Sequence, residues 1–206
     1  MRTDTIETFL KQLAARVPAP GGGATAALHA AQAAALVAMV ARYSDSAKYA
    51  DHAEEITTIT HTADRLRENA LGLAEEDAAA FTAVTVAYRL PKGTADEAAA
   101  RSEVIARALV GAAHVPAIVV AVAEQVLCLA EQLLPIGNRT VVSDVAAAAE
   151  AARAAATTAR VNVEVNLGGI PDPAIRGELA AVVDTVDDLV LRAEKVTAAV
   201  RDGLVR

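Results

Sequence analysis

The sequence predicts an all-α protein, a single-domain bundle of about six to eight helices over residues 1–206. Hydrophobic residues make up 54% of the chain but aromatic residues only 2%, and alanine is the commonest apolar residue. Alanine has the highest helix propensity, whereas strands favour β-branched and aromatic side chains. Short breaks rich in proline and glycine separate long stretches with helical periodicity, as in helical bundles.

The first two helices are expected on either side of a glycine-rich break at residues 18–23. Thr3 or Asp4 can cap the first helix, which ends before Val17-Pro18 because a residue preceding proline avoids the helical conformation. Its apolar side chains share one side of the helix: Ile6, Phe9, Leu10 and Leu13. The second helix, from Ala24 to about Tyr43, is small or apolar on almost every side, which predicts that it is buried.

The third helix, from about His52 to Tyr88, has one polar residue on an apolar seam. Steps of three and four residues connect the following positions: Ile56, Ile59, Ala63, Leu66, Ala70, Leu73, Asp77, Ala80, Val84 and Ala87. This spacing places all of them on the face that packs against other helices. Asp77 is the only member that is not apolar, and the neighbouring Glu75 and Glu76 fall off the seam.

Four further helices are expected in the second half of the chain. They begin at a Thr94–Glu97 capping box (ending near His114), at Pro116 (ending near Leu134), at Thr140 or Ser143, and at Asp172-Pro173. Residues 161–167 alternate apolar and polar residues, which is typical of a strand. A lone strand would have no partner in this chain, so we interpret the segment as a continuation of a helix.

Composition and charge exclude several classes of function. The net charge of −7 and the lack of a basic run disfavour nucleic acid as a partner. The apolar stretches 17–41 and 115–130 contain prolines and glycines or a glutamate, so no membrane span is expected. The N-terminus has no apolar signal region, and a single cysteine, Cys128, excludes an internal disulfide. We therefore expect a cytoplasmic protein.

The triple glycine Gly21-Gly22-Gly23 is a candidate binding element. A helix that begins after it presents free backbone N–H groups and the positive end of its dipole, which suit a carboxylate or phosphate. No Walker or dinucleotide-binding pattern accompanies it. The alternative is a tight turn that only lets two helices approach closely.

Two carboxylates are candidate catalytic groups. Asp77 on the apolar seam is costly to bury unless it is paired, and such residues are often functional. The alternative is a structural Asp77, paired with a buried arginine or with a helix N-terminus. Asp144 follows Ser143 at an expected helix start, where an acid can simply complement the helix dipole. The four histidines have no metal-ligand spacing, so no metal is expected.

An ordered set of short motifs resembles the formimino-tetrahydrofolate cyclodeaminase / methenyl-tetrahydrofolate cyclohydrolase family. The matching blocks are Pro18 to Gly23, residues 35–40, Lys48-Tyr49, Asp77 to Phe81, Ala87 to Lys92, Arg101, Ala113 to Pro116, Gly137-Asn138, Ser143-Asp144-Val145 and Asn162 to Leu167. The resemblance covers about Thr5 to Asp172. One motif alone is weak, whereas the ordered set is specific.

The resemblance implies an all-helical enzyme that works as a homodimer or larger assembly on one-carbon tetrahydrofolates. Such an enzyme opens the methenyl bridge of 5,10-methenyl-tetrahydrofolate with water, or forms it from 5-formimino-tetrahydrofolate with loss of ammonia. It implies no cofactor besides the folate substrate. The implied catalytic residues are Asp77, Asp144 and Lys48. The implied substrate-binding residues are Pro20, Gly21, Gly22, Gly23, Tyr49, Asn138, Ser143, Asn162 and Asn166.

One segment departs from the family pattern. Where members carry a basic Gly-Lys-Lys-Lys-Tyr loop, this chain has residues 44–49 with the single lysine Lys48. We therefore expect weaker attraction for a polyglutamate tail. Cyclohydrolase is favoured because the 206 residues include no formiminotransferase domain. A family member acting on a non-folate substrate and a non-catalytic helical scaffold are the alternatives.

Overall fold

The computed structural model describes residues 1–204, which form helices and short connections without a strand. The seven α-helices are α1 (Ile6–Leu13), α2 (Gly22–Arg42), α3 (Ala53–Tyr88), α4 (Ala95–Ile136), α5 (Val142–Leu167), α6 (Pro173–Asp184) and α7 (Val186–Leu204). Two 3-10 segments, Ala47–His52 and Arg139–Val141, precede α3 and α5. The all-α prediction is confirmed.

Helix α2 lies at the centre of the bundle and packs against α3, α4 and α5. Its buried residues are mostly alanines, and their small side chains let the surrounding helices approach closely. The predicted burial of this helix is confirmed. The seam of α3 is confirmed as well, because Ile56, Leu66 and Val84 are all buried. Asp77 is only partly buried, and Glu75 and Glu76 face solvent.

Helix α4 is continuous from Ala95 to Ile136, so the predicted break between His114 and Pro116 is wrong. Proline within a helix removes one backbone hydrogen bond and clashes with the preceding turn, at a cost of about 3 kcal/mol. Pro116 is nevertheless buried, and its helix neighbours Ala113 and Ala117 belong to an apolar cluster with residues of α3 and α5. Tertiary packing therefore holds the helix together where the local rule predicts an end. The Thr94–Glu97 capping box at its start is confirmed.

The C-terminal segment forms two helices rather than the single one predicted from Asp172-Pro173. Thr185 separates them, and both its backbone N–H and its hydroxyl donate to the Val182 carbonyl. Both helices contact α4 and α5, but α6 contributes Leu179 to a smaller apolar cluster whereas α7 contributes Leu189 and Val196 to the main core. The alternating residues 161–167 are helical, as interpreted, and complete α5.

The first helix differs from the prediction in its cap and in its packing. Thr5, not Thr3 or Asp4, accepts a hydrogen bond from the Thr8 backbone N–H. None of the residues of α1 is buried, and Ile6 and Leu10 are 80% and 54% exposed. An amphipathic helix with an uncovered apolar side lies over a shallow cavity of about 290 Å³.

Two helices, α2 and α4, have the length and hydropathy of a membrane-spanning segment. The apolar stretch of α2 is mostly enclosed by the bundle, whereas more than half of that of α4 lies outside it. A buried core helix has the same composition as a membrane span. The expectation that the chain has no membrane partner therefore stays a prediction.

Candidate active site

A cavity of about 360 Å³ opens where the N-terminus of α2 meets α3, α4 and the C-terminal end of α5. We call it the Asp77 cavity. It lies beside the boundary between the main core and a smaller apolar cluster. Its lining residues are Pro18, Ala19, Gly21, Gly22, Gly23, Asp77, Phe81, Val84, Tyr88, Leu109, Ala112, Asn162, Val165 and Asn166. Sequence blocks that are far apart along the chain therefore meet at one place.

Asp77 lies directly against the glycine-rich start of α2. A Cβ atom built on Gly23 would overlap the Asp77 carboxylate, and its closest contact would be Oδ1. Only glycine at this position therefore lets the carboxylate approach the first turn of the helix. The triple glycine therefore allows a close approach between α2 and α3, as the alternative interpretation predicted, whereas its role in binding a ligand stays a prediction.

Two opposing effects set the pKa of Asp77. Burial removes solvent from the charged form and raises the pKa above its usual value, which is the larger effect. The Ala24 backbone N–H interacts with the carboxylate and lowers the pKa. Among residues 1–204 no lysine, arginine or histidine forms an ion pair with Asp77. Of the two structural partners considered for Asp77, the helix N-terminus is therefore in contact with it, whereas no arginine among residues 1–204 is paired with it.

Asn162 and Asn166 lie across the cavity on successive turns of α5. Each donates a hydrogen bond from Nδ2 to a backbone carbonyl one turn earlier, Asn162 to Thr158 at 2.8 Å and Asn166 to Asn162 at 2.7 Å. These bonds fix both amide groups, and the side-chain oxygens remain available as acceptors. The Asn162 amide nitrogen lies 3.3 Å from the Cβ position of Gly22, so it faces the same helix start as Asp77.

Phe81 and Tyr88 form the aromatic side of the cavity. Both lie in the sequence motifs described above, but neither was a predicted site residue. They follow Asp77 on one face of α3, and they are 48% and 52% exposed. The chain has only five aromatic residues, two Phe and three Tyr, and two of the five line this one cavity. The four- and eleven-residue spacings from Asp77 could have revealed this face.

Five other predicted site residues lie at the opposite end of the bundle: Lys48, Tyr49, Asn138, Ser143 and Asp144. Lys48 and Tyr49 follow the C-terminus of α2, with the Lys48 ammonium 5.4 Å from the Tyr49 ring centre. Asn138 donates to the Tyr43 carbonyl there, and Ser143 and Asp144 begin α5. At 1.5 Å per residue the 21 residues of α2 separate this end from Gly22 by about 30 Å.

Within one copy of the chain, Asp77 therefore does not work together with Lys48 or Asp144. The location of Asp144 in the first turn of α5 agrees with the helix-dipole alternative. Pro20 lies next to the glycines but borders a different, more open cavity beside α3. The functional roles of six residues stay predictions: Pro20, Lys48, Tyr49, Asn138, Ser143 and Asp144.

No group of three or more His, Cys, Asp or Glu side chains within residues 1–204 is arranged to hold a metal ion. The Asp77 cavity contains one carboxylate, two amides, helix N–H groups and two aromatic rings. Such a set binds a planar, polar heterocycle with a cationic group: the amides read its edge, the rings stack on it, and the carboxylate faces the charge.

Comparison with known proteins agrees with this chemistry. Residues 5–185 match the formiminotransferase-cyclodeaminase family, so the chain belongs to that family. The match extends past Asp172 into α6, further than the sequence motifs indicated. Methenyltetrahydrofolate cyclohydrolase of Methylorubrum extorquens is 40% identical over 176 residues, which are 85% of both chains.

Two further relatives extend the comparison. The formimidoyltransferase-cyclodeaminase of Sus scrofa is 31% identical over 97% of this chain, which spans only 36% of that protein. The crystal structure of formiminotetrahydrofolate cyclodeaminase from Thermotoga maritima superposes with a TM-score of 0.87 at 28% identity. The superposition covers 100% of this chain and 99% of that one, so the whole bundle is shared.

Proposed function

We propose that this protein is a one-carbon folate enzyme that opens the methenyl bridge of 5,10-methenyl-tetrahydrofolate by addition of water. The observation that carries the proposal is the Asp77 carboxylate, which a glycine-only contact holds at the start of α2 inside a cavity with amide and aromatic walls. The choice of cyclohydrolase rests on the Methylorubrum extorquens relative, which matches over most of both chains.

The reaction needs a group that stabilises a cation and moves protons. The bridging carbon of the substrate is part of an amidinium cation between N5 and N10. Asp77 in its charged form stabilises this cation and takes a proton from the attacking water. The C–O bond forms, Asp77 returns its proton to N5 as the C–N5 bond breaks, and the hydroxyl proton is released as the formyl C=O bond forms. The products are 10-formyl-tetrahydrofolate and one released proton, so atoms and charge balance.

The raised pKa of Asp77 suits this sequence of proton transfers. A carboxylate whose pKa is shifted towards neutrality is a better acid for returning a proton to N5 than an ordinary aspartate. Binding of the cationic substrate would lower the pKa again, because an opposite charge favours the ionised form. The same group can therefore be ionised when the substrate binds and protonated before the ring nitrogen leaves.

The test of this function is the disappearance of the methenyl-tetrahydrofolate chromophore with purified protein. We expect a rate well above that of buffer alone, and 10-formyl-tetrahydrofolate as the product. The control is a parallel assay with 5-formimino-tetrahydrofolate in which released ammonia is measured. Faster turnover of that substrate would make the protein a cyclodeaminase. No acceleration in either assay and no binding of tetrahydrofolate would exclude a folate enzyme.

We further propose that the protein is a homodimer with the cavity near the interface. Large exposed apolar side chains line the cavity, Phe81 (48% exposed), Tyr88 (52%) and Val165 (75%), and Val161 (59%) lies one turn before Val165 on α5. Exposed apolar patches of this kind mark interaction surfaces. A second copy is also the only way to bring Lys48 or Asp144 close to Asp77, because α2 separates them within one chain.

Sedimentation velocity at micromolar concentration tests this assembly. We expect a dimer for the wild type and a shift towards monomer for Val161→Glu, because a charge in an apolar interface is left unpaired. Leu191→Glu is the matched control, since Leu191 is equally apolar and 55% exposed but lies on α7. A stable wild-type monomer, or dissociation by Leu191→Glu alone, would contradict the proposed interface.

A further inference from the structure

Arg101 lies at the outer end of the hairpin that α3 and α4 form. Its Nη2 donates a hydrogen bond of 3.0 Å to the Tyr88 carbonyl, and its guanidinium carbon lies 5.5 Å from the Tyr88 ring centre. Tyr88 is itself part of the cavity lining. Arg101 therefore extends the aromatic wall of the Asp77 cavity by a cation.

The guanidinium of Arg101 has no counterion among residues 1–204. Its Nε is buried without a hydrogen-bond acceptor, and it is the only buried side-chain nitrogen or oxygen of the described chain in that state. Glu97, one turn earlier on α4, uses its carboxylate to accept from the Gly93 and Thr94 backbone N–H groups. A buried donor without an acceptor is costly, so a position that retains one is a candidate for binding an external acceptor.

The hairpin aligns Arg101 with the rest of the cavity. Tyr88 faces Arg101, and the two helices run antiparallel from there, so Asp77 lies about level with Ala112, eleven residues along each helix. Eleven residues span about 16 Å of helix. By the groove we mean the Asp77 cavity, with its carboxylate and the Phe81 and Tyr88 rings, together with Arg101, which lies outside the cavity lining and adds a cation over the Tyr88 ring.

We propose that Arg101 binds the glutamate carboxylate of the folate substrate and is a specificity-determining residue for it. The proposal rests on the folate function proposed above. The charge order of the groove is complementary to a substrate with a cationic bridged ring, an aromatic middle and an anionic tail. Arginine suits this task because its planar fork binds a carboxylate through two N–H groups. Arg101 thereby supplies a positive charge for the tail, although residues 44–49 have only one lysine.

The test compares the wild type with Arg101→Ala on two substrates, 5,10-methenyl-tetrahydrofolate and the same compound with both glutamate carboxylates converted to amides. We expect Arg101→Ala to raise KM for the normal substrate about 10- to 100-fold, the value of a charged hydrogen bond, with kcat unchanged. KM for the diamide should be high in the wild type and unaffected by the substitution. Arg101→Lys should restore part of the affinity, because it keeps the charge but loses the fork.

Arg107→Ala is the matched control, because Arg107 lies on the same helix, is 71% exposed and has only a 3.9 Å ion pair with Glu103. A purely structural Arg101 would instead lower the melting temperature and change both substrates equally, which would overturn the proposal. Calorimetric binding of p-aminobenzoyl-glutamate and its diamide separates the proposed carboxylate site from the proposed folate reaction. If the wild type distinguishes them, Arg101→Ala does not, and no folate is turned over, the reaction is wrong but the carboxylate site stands. If the wild type does not distinguish them, the carboxylate site is wrong.

Discussion

Asp77→Asn is expected to lower turnover by about 10²- to 10⁴-fold, the range for loss of a positioned acid–base group, while the folded state keeps or gains stability. The amide is nearly isosteric, and its oxygen can still accept from the Ala24 backbone N–H. The substitution removes a partly buried charge that has no cationic partner within residues 1–204. Turnover and melting temperature of the purified variant are the two measurements.

The pH dependence of stability provides a second readout for the same variant. Because burial raises the folded-state pKa of Asp77, the folded protein binds a proton that the unfolded chain has already released. The corresponding stability is fully present below the unfolded pKa and is lost as pH rises through the folded pKa. The melting temperature of the wild type relative to Asp77→Asn should therefore fall over this interval and then level off. An early-melting variant with normal turnover per folded molecule would show that Asp77 is structural.

Gly23→Ala should lower activity by about 10²-fold, the lower end of the range expected for Asp77→Asn. The added methyl group overlaps the Asp77 carboxylate, so either the carboxylate leaves its position or the start of α2 shifts. Misplacement of a reacting group by about 1 Å can cost 10²-fold in rate, and overpacking of this kind costs about 1–3 kcal/mol of stability. We expect both losses, measured as turnover and as the free energy of unfolding in denaturant.

Gly111→Ala is the control for this substitution. Gly111 lies within α4, and a Cβ atom built there meets nothing within 4 Å, so the helix should be slightly more stable and turnover unchanged. The double variant Gly23→Ala/Asp77→Ala should regain part of the lost stability, because the overlap is removed. Wild-type turnover of Gly23→Ala would show that this contact does not position the carboxylate.

The helical periodicity of α3 identified Asp77, and the break rich in proline and glycine identified the triple glycine. Both signals are local, because each lies within a short stretch of the sequence. Their direct contact could not be predicted, since it joins residues 54 positions apart and depends on how α2 and α3 cross. Phe81 and Tyr88 were missed for a related reason. Their importance comes from the cavity that four helices create together, and an exposed aromatic residue on one helix does not reveal a cavity.

The wrong predictions concern Pro116, Thr185 and the first helix, where tertiary packing overrides local rules. Proline predicted a break, but α4 is continuous there, with Pro116 buried and its neighbours Ala113 and Ala117 packed in an apolar cluster. Nothing in the pattern near Thr185 ends a helix, yet α6 contributes Leu179 to the smaller apolar cluster, whereas α7 packs into the main core, mostly against α5. The first helix is capped by Thr5 rather than by Thr3 or Asp4, and the single chain leaves its apolar side open.

The alanine core around α2 also determines how this protein can change over evolutionary time. In most cores, shortening a large side chain leaves a cavity, and such substitutions account for many damaging changes. Ala27, Ala34 and Ala38 have almost no side chain to lose, and three closely packed helices leave no space for a larger one. Harmful mutations in α2 should therefore be enlargements, such as alanine to valine or threonine. The buried alanine positions of α2 should drift only among alanine, glycine and serine, whereas the outer helices accept a much wider range of residues.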